Sequence, residues 1–200
     1  MSHYFTNDNV ESDIRKLETN ILGKKFIFYS DNGVFSKNKL DFGTRLFLES
    51  IDIPSFTGNV LDVGCGYGPI GITVSKLTDC SVTMCDVNKR ALHLSRMNIK
   101  ENGITNIEVI ESDCYKGLDD DVKFDYILTN PPIRAGKKVI YEIVMDARLH
   151  LKPSGTLFIV IRKEHGAKSM IKDLSKYYKT EVVNKSKGFF IIKCNLLLTN

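Results

Sequence analysis

What this sequence lacks narrows the field first. No apolar run approaches the roughly 20 residues that a membrane-spanning helix needs. The start, MSHYFTNDNVESD, has no basic segment followed by an apolar one, so it does not read as a secretory signal, and a cytoplasmic protein is the simplest expectation. No segment repeats, and no low-complexity linker divides the chain. The five cysteines (Cys65, Cys80, Cys85, Cys114, Cys194) are odd in number and carry no metal-site spacing. No metal is therefore expected, and Cys80 and Cys85 read as reduced residues packed in a strand. The four histidines (His3, His93, His150, His165) form no triad that spacing can show and receive no role.

What is present suits an ordinary globular protein. Two hundred residues, 42% hydrophobic and 26% charged, can bury a core of useful size. One domain over residues 1–200 is expected, with 1–57 an N-terminal extension and lead-in and 58–195 the core. A monomer is the default. The net charge of +4 is mild, but its distribution is uneven: from Lys163 to Lys193 there are eight lysines against three acids. A basic end of this kind is either a nucleic-acid face or a solvated surface.

Hydrophobic periodicity gives the organisation. Residues 1–20 are polar and read as loosely ordered. KKFIFYSDNGVFSK offers two short strands around Asp31-Asn32-Gly33, a hairpin signal. Phe42, Leu46, Phe47 and Ile51 fall at near-helical spacing, which predicts a helix over about 42–52. From Asn59 strands alternate with helices: NVLDVG, then a helix opened by Pro69; SVTMCD, then a helix closed by Gly103; NIEVIES; DYILTN, then a helix ended by Lys152-Pro153-Ser154-Gly155; TLFIVI, then the helix GAKSMIKDLSKYY. TEVVNK and GFFIIKC close the chain as an antiparallel pair. The pattern implies an α/β fold: a Rossmann-like, seven-stranded, mostly parallel sheet with helices on both faces, an antiparallel C-terminal hairpin and a short N-terminal hairpin and helix. Ligands of such sheets bind beyond the carboxyl ends of the strands. That puts Gly64–Gly68, Asp86, Asp113 and Asn130 on one rim.

The glycine loop LDVGCGYGPIG follows the strand holding Asp62. Gly64, Gly66 and Gly68 let backbone approach a ligand, and a helix N-terminus with exposed amides follows. Gly66, Gly68 and Gly71 also fit G-x-G-x-x-G, the dinucleotide fingerprint. Asp62 inside the strand end, Pro69 at the exit of the turn and the lack of a hydride-transfer partner weigh against a nicotinamide enzyme. Asp86, ending the next strand, can accept hydrogen bonds from both hydroxyls of a ribose, or else cap the helix that follows, a task Asn88 can equally perform. Asp113 in ESDCY can accept from an adenine amino group, or serve as a turn carboxylate.

FDYILTNPPIRAGK is the most unusual stretch. A covered strand runs into an amide and two prolines, which remove two backbone donors and fix two φ angles. It is either a plain strand stop or a rigid polar claw at the rim.

These residues together resemble the class I S-adenosylmethionine-dependent methyltransferases, over about residues 40–195. VLDVGCGYG is similar to their first motif, Asp86 to the ribose-binding acid, SDCY to the adenine-side motif, and NPPI to the Asn-Pro-Pro-aromatic motif of amino-group methylators. Ile133 stands where many of those enzymes have Phe or Tyr. DNGVFSKNKLDFGTRLFLESI resembles the lead-in of the ribosomal RNA small-subunit methyltransferase C family, which methylates the exocyclic N2 of guanine. Long members of that family add an N-terminal degenerate copy of the catalytic domain; this chain is similar to the short, single-domain type.

The resemblance implies S-adenosylmethionine as cofactor, held by Asp62, Gly64, Cys65, Gly66, Gly68, Asp86, Val87, Asp113, Cys114 and Asn130, with Gly43 and Thr44 at its methionine end. It implies ribosomal RNA or the small ribosomal subunit as partner. Asn130, Pro131, Pro132 and Ile133 would form the catalytic claw, with Ile133 an aliphatic plate against the base. Arg134, Lys137 and Lys138 would contact RNA. Phe35 and Phe42 either cap the cofactor or base, or pack the hairpin against the helix. Other planar nitrogens, adenine N6 or a protein glutamine, suit the same motif, and a non-catalytic RNA-binding assembly factor is the alternative of a different class.

Overall fold

The computed structural model describes residues 11–32, 39–132 and 135–197. Two strands, β1 (Arg15–Ile21) and β2 (Lys24–Ser30), form a separate antiparallel hairpin. Its turn is Leu22–Gly23, with φ of 48° and 77°; the second strand expected after Asp31-Asn32-Gly33 falls outside the described residues. Asp31 instead serves as a clasp. Its carboxylate accepts from Ser12 Oγ (2.8 Å), Asp13 N (2.6 Å) and Asn32 N (2.6 Å), and pairs with Arg90 at 3.8 Å. Residues 15–20 are thus strand, where polarity alone suggested loose chain; Gly33 and Phe35 lie outside the described residues.

There follow α1 (Phe42–Ser50), β3 (Asn59–Val63), α2 (Pro69–Leu77), β4 (Ser81–Asp86), α3 (Lys89–Glu101), β5 (Ile107–Glu111), β6 (Phe124–Thr129), α4 (Lys137–His150), β7 (Leu151–Arg162), α5 (Ala167–Leu174), β8 (Tyr178–Ser186) and β9 (Phe189–Leu196). Seven strands make one sheet in the order β5-β4-β3-β6-β7-β9-β8. The first five run parallel, and β9 is antiparallel to both β7 and β8. The direction of winding reverses between β3 and β6, so the loops after these two strands open side by side.

Two expected boundaries move. Lys152-Pro153-Ser154-Gly155 does not merely end a helix: it lies inside β7, opposite an irregularity between Phe124 and Tyr126. The ladder slips there, which is how a strand tolerates a proline. The last helix stops at Leu174 and not near Tyr178, because buried Tyr178 opens β8.

Side chains of the central strands alternate between two apolar layers. Val60, Leu128, Phe158, Val160 and Ile191 face α1, α2, α3 and the hairpin, while Leu61, Ile127, Leu157, Ile159, Ile161 and Ile192 face α4 and α5. Both faces are covered, which explains near-continuous apolar runs such as Leu157–Ile161.

The hairpin docks on its neighbours through backbone that is read by side chains. Asn102 Oδ1 accepts from Ile27 N (3.2 Å) and its Nδ2 donates to Ile27 O (2.6 Å). Asn98, one turn earlier, does the same for Tyr29 (2.6 and 3.0 Å). Lys76 Nζ donates to Lys25 O at 2.9 Å. Three side chains thereby satisfy the outer edge of β2.

Candidate active site

The glycine loop is held by bonds to its backbone. Gly64 N and Cys65 N both donate to Cys85 O (2.9 and 3.0 Å), which binds the loop to the end of β4. Gly66 N donates to Asp86 Oδ2 at 2.9 Å. From below, Ser95 Oγ donates to Gly66 O (2.7 Å) and Asn98 Nδ2 to Tyr67 O (2.8 Å). Gly64, Gly66 and Gly68 all have positive φ (70°, 58° and 93°). At Gly66 a Cβ would meet nothing within 4 Å. The Cα face of Gly66 is therefore open, so a ligand can approach the backbone there.

Asp62 lies under this loop and is fully buried. Its Oδ2 accepts from Gly71 N at 2.9 Å, and its Oδ1 has no protein partner. Burial pushes the Asp62 carboxyl up to about 7, and the nearby charge of Asp86 adds to the shift. An orphaned buried acceptor is costly unless something polar meets it. Gly71 completes the sequence fingerprint for packing reasons: a Cβ would stand 2.4 Å from Met84 Sδ, so only glycine lets α2 lie this close to β4.

Asp86 is half-buried at the end of β4. It does not cap α3. Asn88 does, accepting from Arg90 N (3.0 Å) and Ala91 N (3.2 Å). Burial raises the Asp86 pKa, opposed by hydrogen bonds from the backbone N–H groups of Asn88, Gly66 and Val87. Asp113, by contrast, pairs with Lys116 at 2.5 Å. Cys114 adopts φ 53°, and its carbonyl accepts from Ser112 Oγ at 2.8 Å. Burial holds the Cys65, Cys85 and Cys114 thiols above their ordinary pKa, so they remain neutral and are poor nucleophiles.

The second half of the rim is built around Asn130. Thr129 Oγ1 donates to Val63 O at 2.9 Å, fastening the end of β6 to the end of β3. Asn130 Nδ2 then donates to Thr44 Oγ1 at 2.9 Å and to Asp41 Oδ2 at 3.4 Å. Asp41 is the cap of α1, its Oδ2 also accepting from Thr44 N at 2.9 Å. Both amide hydrogens of Asn130 therefore have partners on the protein, and the amide oxygen is the end left to face a ligand. The Pro132 carbonyl is engaged within its loop, accepting from Ala135 N at 3.0 Å. Thr44 and Gly43, expected at the cofactor's methionine end, lie beside Asn130, which Thr44 binds, and a Cβ on Gly43 would stand 2.5 Å from the Phe189 ring.

Ile133 and Arg134 lie outside the described residues. Lys137 and Lys138 are exposed in the first turn of α4, with Lys137 Nζ 5.2 Å from the centre of the Tyr141 ring. Of the histidines, His150 stacks on Tyr115 at 4.4 Å and is remote from the rim chemistry. Among the described residues no three His, Cys, Asp or Glu side chains gather as a metal site would need, and no helix is long and apolar enough to cross a membrane. Sequence reasoning missed Asp41 as the partner of Asn130, because 89 residues separate them.

A family model, the methyltransferase small domain, matches residues 25–193. The chain belongs to this family. It is an S-adenosylmethionine-dependent methyltransferase. Bacillus subtilis YbxB, an uncharacterized protein, is 46% identical over 194 residues, covering 96% of each chain. Ribosomal RNA small subunit methyltransferase C of Pasteurella multocida is 42% identical over 137 residues, 66% of this chain and 40% of that one. The chain thus spans well under half the length of the methyltransferase C relatives it matches. Among solved structures, the T. thermophilus 16S rRNA N2 methyltransferase RsmC, in complex with AdoMet and guanosine, superposes with a TM-score of 0.83 at 23% identity, over 92% of this chain and 51% of that one. That likeness concerns the fold. The cradle fits the cofactor on this protein's own features: open space against the Cα of Gly66, a carboxylate at the end of β4, and a buried acceptor, Asp62 Oδ1, with no partner.

Proposed function

We propose that this protein methylates the exocyclic N2 of a guanine in small-subunit ribosomal RNA. One observation carries the choice of a planar amine as acceptor. The Asn130 amide is oriented by Thr44 and Asp41 so that its oxygen, not its nitrogen, faces outward. The ribosomal RNA target is supported by the methyltransferase C relatives and by the description of RsmC as a 16S rRNA N2 methyltransferase.

The amine of guanine is a weak nucleophile because its lone pair is delocalised into the ring. Asn130 Oδ1 accepts one of its two hydrogens and the Pro131 carbonyl accepts the other, which turns the lone pair out of the base plane. The two prolines keep that carbonyl aimed with little conformational freedom left to lose. Asp86 would hold the cofactor's ribose and the Gly64–Gly68 loop its methionine end, with Asp62 buried under that loop. S-adenosylmethionine supplies an electrophilic methyl on a sulfonium whose sulfur leaves as a neutral thioether. The nitrogen becomes acidic only as it gains the methyl, so its proton passes to solvent and no strong base is needed. Positioning therefore supplies most of the rate.

The deciding experiment is transfer of labelled methyl to small subunits or ribosomal RNA from a strain lacking this protein, followed by nucleoside mass spectrometry. N2-methylguanosine is the expected product. N6-methyladenosine, or label in protein glutamine, would overturn the acceptor while keeping the amine chemistry. Bound cofactor with no transfer to any of these would overturn the enzymatic reading.

A further inference from the structure

Beside Asn130 the rim carries a row of alternating cations and rings that the glycine-loop chemistry does not use. Lys187 Nζ stands 4.7 Å from the centre of the Phe42 ring. Phe42 and Phe189 are 5.7 Å apart, tilted by 50°. The Arg162 guanidinium stands 4.8 Å over Phe189. These four residues come from three segments. Phe42 opens α1, Arg162 ends β7, Lys187 lies in the β8–β9 turn and Phe189 opens β9; Arg162 and Phe189 are register partners. Since β7 runs parallel to β6 and β9 runs against it, this turn lies at the same carboxyl rim as Asn130. The link is direct. The Phe189 ring is pressed on the Gly43 backbone, and the next residue, Thr44, holds the Asn130 amide.

We propose that the row Lys187–Phe42–Phe189–Arg162 is the seat for the single-stranded RNA that flanks the target base. This rests on the RNA-methylating reading above. Its charge is suited to a polyanion: Lys185 and Lys187 are exposed at the turn, and Glu164, the partner of Arg162, is the acid beside them. Its rings are half-buried, so they present an edge of apolar surface with a cation at each end of the row. Phosphates can take the cations, and sugars or unstacked bases can lie on the rings. A duplex is the wrong occupant, because its bases are stacked away from such rings and the target must be unstacked to reach Asn130. The lysine-rich tail is thus divided by the hairpin. Lys185 and Lys187 sit at the rim, whereas Lys179, paired with Asn195, sits at the far end of the sheet.

The test uses a substitution that suits the backbone. Lys187 has φ 46°, a conformation that asparagine adopts readily, so Lys187→Asn removes the charge while favouring the turn. Phe42→Leu removes a ring and keeps apolar volume. The row predicts that Lys187→Asn raises KM for ribosomal RNA about tenfold, leaves kcat at saturating RNA and cofactor affinity unchanged, and lowers the slope of log K against log salt by about one. Phe42→Leu should weaken RNA binding by a similar factor without changing the salt slope. Lys179→Asn, at the far end, should match the unaltered protein. If the unaltered protein methylates ribosomal RNA but Lys187→Asn and Phe42→Leu bind it equally well, the row is not the seat and the functional reading stands. If the unaltered protein neither binds nor methylates ribosomal RNA, both fall.

Discussion

The two halves of the rim are built differently. The half proposed for the cofactor comes from one short piece of chain, Asp62–Gly71, with Asp86 beside it, and its bonds run mostly through backbone N–H and C=O groups. The half proposed for the acceptor is assembled from residues 41–44, 130–132, 162 and 187–189, and its bonds run through side chains. A backbone cradle depends on glycine and on local turn geometry. A side-chain claw depends on the whole sheet bringing distant segments together. Damage to the first should therefore appear as lost cofactor affinity, and damage to the second as lost turnover at Asn130 or lost RNA affinity at the flanking row, with cofactor affinity kept in both cases.

The sharpest way to break this division is Asn130→Asp. A carboxylate there would face Asp41, whose Oδ2 stands 3.4 Å from the present amide nitrogen. Like charges at that distance oppose ionisation of both and leave no donor pair to orient the group. Methyl transfer should fall about a thousandfold, with cofactor affinity by calorimetry unchanged. Adding Asp41→Asn should recover at least about tenfold, since the two positions then exchange roles. No recovery in the double variant would show that Asp41 does not orient residue 130.

The complementary change, Asp86→Ala, strikes the other half. It removes the acceptor of Gly66 N and the carboxylate proposed for the ribose. Cofactor affinity should fall about a hundredfold, about 2.7 kcal/mol, while turnover at saturating cofactor stays within a few-fold. Equal losses of affinity and turnover would mean that the halves are not separable.

The smallest expected effect concerns Asp62 and pH. Its folded pKa is raised to about 7, chiefly by burial, above the ordinary carboxylate value of 3.8. The folded state therefore holds the proton more tightly than the unfolded chain. The stability this contributes is complete below pH about 4 and is lost as pH rises to about 7. Asp62→Asn should flatten that fall, gaining about 1–2 kcal/mol on the unaltered protein between pH 4.5 and pH 8 in urea titrations. Parallel pH profiles for the two proteins would remove Asp62 as the source.

The same division explains what could be read in the sequence. The wound strands and helices from Asn59 onward were legible because period and punctuation are local. Asn59, Pro69 and Lys89 open their elements within a residue of expectation. The glycine loop was legible for the same reason. The β1–β2 hairpin was not legible because residues 15–20 are polar, and Asp31, whose chemistry suits a turn, gives its carboxylate to Ser12, Asp13 and Arg90. Leu22, a poor turn former, occupies the left-handed position instead. At the acceptor half, Asn130 was found by its prolines. Its partners Asp41 and Thr44, and the Phe189–Arg162 pair, were not, since no local pattern marks a contact made across 86 residues or across a sheet.

The side chains of Lys76, Asn98 and Asn102 along the outer edge of β2 have a consequence in time. The hairpin leaves the ribosome before the helices that cover it. Until α2 and α3 (Pro69–Leu77 and Lys89–Glu101) have folded, Lys25, Ile27 and Tyr29 present an open strand edge to any other nascent chain. An uncovered edge is a template for strand addition and aggregation. Once α3 packs, two asparagines a single turn apart occupy the places a neighbouring strand would take, and the edge closes without a strand.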